Sequence, residues 1–383
     1  MALLSDFSII EIICISVISV CFLFQLRFVF VRVFRLATFP RKNKSAGNDV
    51  AFTPLVSVII CAKNEAENLT EFLPLVLLQD YPEYQVVVVN DSSEDDSEMI
   101  LAKMRLEYPH LYYTNIPLDR KFNHGKKLAI SVGVKAATHN YLVFTDADCK
   151  PVSNTWLKEM MQGFAPEGKE IVLGFGGYLK RKGFVNFLVR YDTFFSALQY
   201  MGFALSRKPY MGVGRNLAYK KDLFLKNNGM RNHIHILSGD DDLFVKETAN
   251  RGNVSVIPHF NGQTISIPPN GFKNWYYQKA RHLSTSPYYK PSVKFELFLD
   301  PLSREIFWFM AFYMIIFNNF AVFAGGALFL NFIVKIIVWQ KAAKTLNQGK
   351  LYWGVLIFDL IHPWFLLWAF FVNKFGRNKN KWK

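Results

Sequence analysis

The chain contains 383 residues, of which 51% are hydrophobic and 37 are phenylalanine. This composition is too apolar for an ordinary soluble enzyme, and the apolar residues are concentrated at the two ends of the chain. Lys and Arg number 45 against 30 Asp and Glu, which gives a net charge of +15. Because the basic excess also lies near the ends and no nucleic-acid-binding motif is present, we expect contact with anionic lipid head groups, not with nucleic acid.

The four cysteines are Cys14, Cys21, Cys61 and Cys149. Two lie in the N-terminal apolar run and two end or follow predicted strands. Their spacing matches no metal-binding cysteine motif, so a reducing cytosolic compartment is the simplest interpretation.

The N-terminal apolar run covers residues 7–34 and is long enough to cross a bilayer. A cleaved signal peptide is the alternative, but no basic residue precedes the run and no small-residue cleavage site follows it. Basic residues follow the run, and the positive-inside rule then places the following part of the chain in the cytosol. We predict an N-terminal transmembrane helix in residues 1–35 and a linker in residues 36–53.

Strands and helices alternate through the middle of the chain. Short apolar runs predict strands at 55–61, 85–89, 111–114 and 141–144, separated by helices at 66–78, 97–108 and 126–137. This alternation predicts a doubly wound α/β domain, which we place at residues 54–300. Later strands are predicted at 171–175, 217–219 and 254–257, and later helices at 184–205, 240–250 and 272–283. The helix at 184–205 could be a core helix or could lie on the membrane surface, and we expect it to pack against the domain and face the bilayer.

The C-terminal region, residues 301–383, is predicted to be a second membrane region. Residues 306–339 are long enough for a helical hairpin that turns near Asn318–Asn319 or Gly325–Gly326, and residues 351–372 form a further apolar run. The polar connection at 341–350 and the C-terminal tail are both basic, which places both in the cytosol. The number of C-terminal crossings therefore stays open between two and three.

Polar residues follow the predicted strands, at the sheet edge where open α/β sheets bind ligands. Asp146 and Asp148 follow the strand at 141–144, and two such carboxylates suit Mg²⁺ or Mn²⁺ that carries phosphate oxygens. Lys63 and Glu65 follow the first strand, and Asp91 ends the second, where a carboxylate can accept a hydrogen bond from a uracil N–H. A polar turn or a helix N-cap explains each of these residues equally well when it is taken alone.

Two further segments carry charge. Lys126 follows a glycine at the start of a helix, where backbone and cation can both approach phosphate. Residues 239–242 have the sequence Gly-Asp-Asp-Asp, and repulsion between adjacent carboxylates raises the pKa of one of them, which suits a general base. A solvated helix N-terminus is the alternative for these acids.

The helix before the C-terminal membrane region carries Gln278, Arg281 and His282. Gln278 and Arg281 share one helical face at a spacing of three residues. A basic and aromatic membrane anchor is the alternative interpretation.

The chain resembles membrane-bound members of glycosyltransferase family 2 from about Pro54 to Leu283. The resemblance rests on seven segments in the family's order: PLVSVIICAKNEAENL, VVVVNDSSEDDS, GKKLAISVGVKAA, YLVFTDADC, GVGRNLAYKK, SGDDDLFVK and QKARHL. Family members are inverting enzymes with a GT-A fold. The resemblance therefore implies a GT-A nucleotide-diphospho-sugar transferase domain flanked by transmembrane helices.

The resemblance implies roles at matching positions. Asp91 would contact the base of the nucleotide, and Asp146 and Asp148 would hold Mn²⁺ or Mg²⁺, with Asp148 the more direct ligand. Asp241 would be the catalytic base. Asp240 stays an alternative. The family pattern has two residues between the base and the next leucine, whereas only one residue separates Asp241 from Leu243 here.

The acceptor and diphosphate side is implied by two other segments. Gly214, Asn216 and Ala218 match the acceptor-side strand, and Gln278, Arg281 and His282 match the Q-x-x-R-W motif of processive members. His282 replaces the tryptophan that stacks near the acceptor, and this departure favours transfer of one sugar or synthesis of a short product.

The implied function is transfer of a sugar from a nucleotide-diphosphate sugar, expected to be a UDP-sugar, to a lipid-linked or glycan acceptor. The implied location is the cytoplasmic membrane, with several spans, a cytosolic catalytic domain and partners in polysaccharide assembly. A processive polysaccharide synthase of the same family is one alternative. A nucleotidyltransferase and a non-catalytic component of a polysaccharide export complex are alternatives from other classes.

Overall fold

The computed structural model describes residues 9–40, 52–118, 125–236, 238–317 and 320–375. A seven-stranded sheet has the strand order β3-β2-β1-β4-β8-β6-β9, and a three-stranded sheet has the order β5-β10-β7. The strands are β1 (Val56–Ala62), β2 (Tyr84–Asp91), β3 (Leu111–Ile116), β4 (Tyr141–Asp146), β5 (Cys149–Pro151), β6 (Ile171–Gly174), β7 (Gly176–Tyr178), β8 (Leu217–Lys220), β9 (Val254–Ile257) and β10 (Thr264–Ser266).

The helices of the central region are α3 (Ala66–Leu77), α4 (Ser97–Glu107), α5 (Lys126–Ala136), α6 (Trp156–Gln162), α7 (Phe184–Leu205), α8 (Lys221–Lys226), α9 (Asp242–Thr248) and α10 (Gly271–Leu283). Before them lie α1 (Ile9–Phe28), a π-helical turn (Val29–Val33) and α2 (Phe34–Ala37), and after them lie α11 (Pro291–Phe317), α12 (Ala321–Thr345) and α13 (Val355–Phe375). The predicted α/β class is confirmed, and most predicted elements lie within a few residues of their expected bounds.

The larger sheet is mixed. β1 pairs in parallel with β2 and β4, and β2 pairs in parallel with β3, as expected for strands that are apolar on both faces. β8 is antiparallel to both β4 and β6. The start of β8 therefore lies at the same sheet edge as the end of β4, and this direction brings the residues before β8 beside Asp146.

Helix α7 lies in the core and not on a membrane surface. Its side chains Tyr191, Phe194 and Phe203 are fully buried. The helix packs against the sheet on one side and against the π-helical turn and α2 on the other. The prediction that α7 packs against the domain is met, but these contacts leave it between the sheet and the terminal helices and not facing a bilayer.

Within the described part of the chain, three helical segments are long and apolar enough to cross a membrane: Ile9–Ala37, Ala321–Thr345 and Gly349–Ala369. By length and composition, the chain is therefore a membrane protein. Helix α11 carries Asp300, Arg304 and Glu305 and packs along α1.

The predicted hairpin is formed by α11 and α12. The turn residues 318–319 lie outside the described residues, between the end of α11 and the start of α12. Gly325 and Gly326 lie inside α12, so the alternative turn position was wrong. Helix α11 also runs through the predicted domain boundary at residue 300, and the domain limits stay a prediction.

Candidate active site

A cleft of about 760 Å³ opens where the carboxyl ends of β1 and β4 meet the loops before β8 and α9. Most of the predicted site residues line it: Lys63, Glu65, Lys126, Asp146, Asp148, Gly214, Asp240, Asp241, Gln278, Arg281 and His282. The structure therefore brings together segments that lie far apart in the sequence.

Lys126 joins the two acidic segments. It begins α5, and its Nζ lies 2.6 Å from Asp146 Oδ1 and 3.2 Å from Asp240 Oδ2. Burial opposes the charge of this ammonium group, but the nearby carboxylates, Asp146 first among them, raise the pKa of Lys126 well above its ordinary value. Lys126 is therefore a fixed positive charge between the D-x-D segment and the Gly-Asp-Asp-Asp segment.

Asp240 and Asp241 have opposite electrostatic surroundings. Burial raises the pKa of Asp240, but Lys126 outweighs it and lowers that pKa below its usual range. Burial, followed by repulsion from Asp240 and Asp242, raises the pKa of Asp241 to about 7. Two neighbouring acids with separated pKa values form an arrangement that suits general base chemistry at neutral pH, and the raised pKa of Asp241 suits that role better than the lowered pKa of Asp240.

The carboxylate of Asp241 is held in place by backbone. The Gly214 N–H donates to Oδ2 at 2.7 Å, and the Asp242 N–H donates to Oδ1 at 2.7 Å, so that Asp241 caps α9. The loop before β8 thus orients Asp241 through a backbone group, and not through a side chain.

Asp242, the third acid, serves a different purpose. Its side chain is buried, and its Oδ2 accepts hydrogen bonds from Thr285 Oγ1 and, at 2.7 Å, from Tyr289 OH. The Leu243 N–H donates to the other oxygen at 2.8 Å. Asp242 therefore connects the start of α9 to the segment between α10 and α11.

Asp146, Asp148 and Cys149 could hold a metal ion, since one ligand atom from each lies within 4.8 Å of the others. Cys149 Sγ donates to Asp148 Oδ1 at 3.3 Å, and burial raises the pKa of the Cys149 thiol well above its usual value. A thiol that keeps its proton is a poor ligand. The donor set is therefore a pair of hard carboxylates, which fits Mg²⁺ or Mn²⁺ better than a thiophilic metal.

Asp148 is also fixed from the smaller sheet. Ser266 Oγ in β10 donates to its Oδ2 at 3.1 Å. Burial and the nearby Asp146 raise the pKa of Asp148, while Arg215 lowers it. A site that holds two carboxylates close together in this way favours a cation between them.

Helix α10 forms the wall of the cleft on the side of the terminal helices. Gln278 Oε1 accepts a hydrogen bond of 3.0 Å from Tyr178 OH in β7. The other side of the helix packs on α13, where the rings of Trp275 and Phe365 stack with centroids 4.6 Å apart. The cleft therefore borders directly on a candidate membrane span.

Three predicted residues do not line the cleft: Asn216, Ala218, which is fully buried in β8, and Asp91. Asn216 is fully buried: its Oδ1 accepts from Trp156 Nε1 at 3.0 Å, and its Nδ2 donates to the carbonyls of Phe175 and Gly262. Its amide is fully used in the core, and the assignment of Asn216 to the acceptor side stays a prediction. Asp91 is buried at the end of β2 beside Ser92, and its contact with a nucleotide base stays a prediction.

Arg215, which lines the cleft immediately after Gly214, was not predicted as a site residue. Arg215 lies within GVGRNLAYKK, one of the segments that carry the family resemblance, but the roles implied for that segment were given to Gly214, Asn216 and Ala218. The antiparallel direction of β8 places Arg215 at the ligand-binding edge, and that direction was not predicted.

Residues 57–226 match the model of glycosyl transferase family 2. Glycosyltransferase AglE of Haloferax volcanii is 28% identical over 212 residues, which cover 54% of this chain and 65% of that protein. A poly-beta-1,6-N-acetyl-D-glucosamine synthase of Staphylococcus epidermidis is 29% identical over 93 residues, which cover 24% of this chain and 21% of that protein. The chain thus spans less than two thirds of the length of either relative.

Among solved structures, the mannosyltransferase PcManGT from Pyrobaculum calidifontis, in complex with GDP-Man and Mn²⁺, has a TM-score of 0.59 and 19% sequence identity. The match covers 96% of this chain and 99% of that one. At this level of identity the likeness shows a shared GT-A fold. Residues 57–226 of the chain are thus similar to glycosyl transferase family 2.

Proposed function

We propose that this protein is an inverting glycosyltransferase that moves a sugar from a nucleotide-diphosphate sugar to an acceptor hydroxyl in one displacement. The observation that carries the proposal is the arrangement around Lys126, which holds the D-x-D acid Asp146 and the acid Asp240 in one cleft. A pair of carboxylates for a cation and a separate base with a pKa near 7 are the two parts that this reaction needs.

The donor would bind with its diphosphate near Asp146 and Asp148. PcManGT was solved with GDP-Man and Mn²⁺, which supports a nucleotide sugar and a divalent ion as ligands here. Asp146 and Asp148 would hold the ion, whose charge would offset the negative charge that develops on the leaving diphosphate. Lys126 and Arg281, which line the same cleft, would add positive charge near that group.

Asp241 would take the proton from the acceptor hydroxyl as its oxygen attacks the anomeric carbon. Attack from the face opposite the diphosphate inverts the configuration, so that an α-linked donor gives a β-linked product. The hydrogen bonds from the backbone N–H groups of Gly214 and Asp242 would keep the carboxylate aimed at the hydroxyl.

The acceptor would be lipid-linked or a growing glycan at the cytoplasmic face of the membrane. The packing of α10 on α13 supports this location, because it sets the cleft beside a candidate span. Similarity to a poly-beta-1,6-N-acetyl-D-glucosamine synthase supports a glycan product. We propose a multi-pass protein with its central domain in the cytosol.

The test uses the full chain purified in detergent and a panel of UDP- and GDP-sugars, each with Mn²⁺, Mg²⁺ or EDTA. We expect one donor to release nucleoside diphosphate in a metal-dependent reaction, and Asp241→Asn to slow sugar transfer by about 10²-fold or more. Glu71→Gln, which removes an exposed acid from α3, is the matched control. Transfer by Asp241→Asn at the wild-type rate would contradict the assignment of the base, and release of pyrophosphate would indicate a nucleotidyltransferase.

A further inference from the structure

Arg215 has no place in the mechanism above, yet its side chain lies in the cleft. Its Nη1 is buried and has no hydrogen-bond partner among the described residues. A buried charged donor without an acceptor is costly, and native proteins rarely keep one unless a ligand or another group supplies the acceptor. Because Arg215 lines a ligand-sized cleft, a ligand bound there could supply the missing acceptor.

The side chain of Arg215 is held by its neighbours in the smaller sheet. Its guanidinium carbon lies 4.3 Å from the centroid of the Tyr178 ring, and the Tyr178 hydroxyl is bonded to Gln278. Arg215 also lies close to Gly176: a Cβ built on Gly176 would be 3.0 Å from the Cβ of Arg215. Stacking on an aromatic ring leaves the edge of the guanidinium free to donate hydrogen bonds.

The backbone of Arg215 is held as firmly as its side chain. Its carbonyl oxygen accepts from Thr145 Oγ1 at 3.1 Å and from Thr264 Oγ1 at 2.9 Å, which ties it to both sheets. Because the backbone and the guanidinium plane are both fixed before a ligand arrives, little ordering cost remains for binding.

The nearby acids do not neutralise this arginine by direct contact. The two oxygens of Asp148 accept from Ser266 and Cys149, and Asp146 is paired with Lys126. The charge of Arg215 nevertheless acts at Asp148, whose pKa it lowers. Arg215 therefore lines the cleft beside the proposed metal site with its Nη1 unpaired among the described residues.

We propose that Arg215 binds a phosphate group in the cleft and so acts, with Arg281, as a second arginine of an anion site. A planar guanidinium matches two phosphate oxygens at once, which an ammonium group cannot do. Within the proposed function, on which this assignment rests, the phosphate is either the diphosphate of the donor or a phosphate of a lipid-linked acceptor. The following experiment distinguishes the two sources.

The first readout does not depend on catalysis. Binding of inorganic pyrophosphate, UDP and GDP to the full chain in detergent is measured by calorimetry with Mn²⁺ and again with EDTA. If Arg215 binds the donor diphosphate, Arg215→Gln should weaken the affinities for pyrophosphate, UDP and GDP on the order of tenfold to a hundredfold. Arg215→Gln should still weaken binding in EDTA, although by less than with Mn²⁺. Arg215→Lys, which keeps the charge but not the fork, should show an intermediate loss.

The second readout separates the acceptor. If Arg215 binds an acceptor phosphate, Arg215→Gln should leave pyrophosphate and nucleotide binding and donor hydrolysis unchanged, and raise KM for a polyprenyl-phosphate acceptor but not for an unphosphorylated glycan acceptor. The matched control is Lys220→Gln, which removes a cation placed over the Tyr141 ring at the other end of β8.

The outcomes are distinct. The assignment of Arg215 to a phosphate site is overturned if both Arg215 variants behave like Lys220→Gln in every measurement. These measurements are pyrophosphate and nucleotide binding, donor hydrolysis and KM for both acceptors. This conclusion holds whether or not the wild type transfers sugar. If the wild type transfers no sugar but binds pyrophosphate through Arg215, the phosphate site stands and the proposed function fails. If Arg215→Gln does not fold, the same comparison is made with Arg215→Lys.

Discussion

Asp241 shows how neighbouring residues suit a single side chain to its proposed role as the base. Burial and the two flanking aspartates raise its pKa to about 7, while Lys126 lowers that pKa. A carboxyl group with an ordinary pKa would be a weak base at neutral pH. The four charged groups together thus set the pH at which the site works.

The first prediction concerns pH. Asp241 must lose its proton to act as the base, so kcat/KM for transfer should rise about tenfold per pH unit below pH 7 and level off above it. Lys126→Met removes the positive charge that lowers this pKa, so the midpoint should move to higher pH. Initial rates between about pH 5.5 and 9 test both statements. A midpoint that moves to lower pH in Lys126→Met would contradict this electrostatic account.

The second prediction concerns the size of the effect. Asp241→Asn should lower kcat by about 10²- to 10⁴-fold, the usual contribution of a general base. Donor binding should stay within a few-fold of the wild type, because the amide oxygen of the introduced asparagine can still accept the Gly214 N–H. Single-turnover kinetics and nucleotide titration measure the two quantities separately. A loss of donor affinity with an unchanged kcat would instead place Asp241 in the donor site.

At the level of elements, Asp242 links the catalytic helix to the membrane region. Tyr289 and Thr285 donate to its carboxylate from the segment that joins α10 to α11. Burial raises the pKa of Asp242, and these two hydroxyl groups oppose that shift. Since Asp241 caps the same helix, the segment between α10 and α11 and the proposed base are joined through the start of α9.

The third prediction tests this link. Tyr289→Phe removes one donor from a buried carboxylate and should lower the free energy of unfolding by about 1–3 kcal/mol. Tyr288→Phe is the control, because the neighbouring Tyr288 is 47% exposed. Thermal unfolding in detergent measures both. Equal stability of the two variants would show that the Tyr289 hydroxyl does not contribute to the free energy of unfolding.

The fourth prediction concerns the contact between α7 and the π-helical turn. A Cβ at Gly202 would lie 2.8 Å from the Arg32 carbonyl oxygen, whereas a Cβ at Gly325 in α12 meets nothing within 4 Å. Gly202→Ala should therefore destabilise the protein by about 1–3 kcal/mol through overpacking. Gly325→Ala should be neutral or stabilising, since alanine favours a helix. Thermal unfolding should show a loss of stability for Gly202→Ala alone. Equal unfolding temperatures for the two variants would show that α7 can move away from the π-helical turn to make room for the added methyl group.

At the scale of the whole molecule, the sequence supports the fold class and the terminal apolar helices, because periodicity and apolar length depend on local residues. Sequence could also place the acids at strand ends. It could not predict the direction of β8, the burial of Asn216 or the position of Arg215 in the cleft, because these depend on contacts between distant elements. The strands of the smaller sheet are only three residues long, and such short runs carry no periodic signal.

Buried ion pairs between helices are another feature that local patterns do not reveal. Lys335 in α12 pairs with Asp359 in α13 at 2.8 Å, and its Nζ also donates to Gln25 in α1 at 2.7 Å. Nearer the cleft, Lys279 in α10 pairs with Asp192 in α7 at 2.7 Å, and His362 in α13 lies 3.3 Å from the same carboxylate. The second group therefore ties the cleft wall, the core helix and a candidate span together.

The last prediction concerns this second group. Asp192→Asn leaves the Lys279 ammonium largely buried without a counter-charge, so it should lower the free energy of unfolding by about 3–5 kcal/mol. Removing both charges, in Asp192→Asn with Lys279→Met, should cost less than the sum of the two single changes, because neither charge is then left alone. Chemical unfolding of the four proteins gives this coupling energy. Additive losses would mean that the pair does not couple α7 to α10, and the position of the cleft wall would then depend on the ring stacking of Trp275 on Phe365.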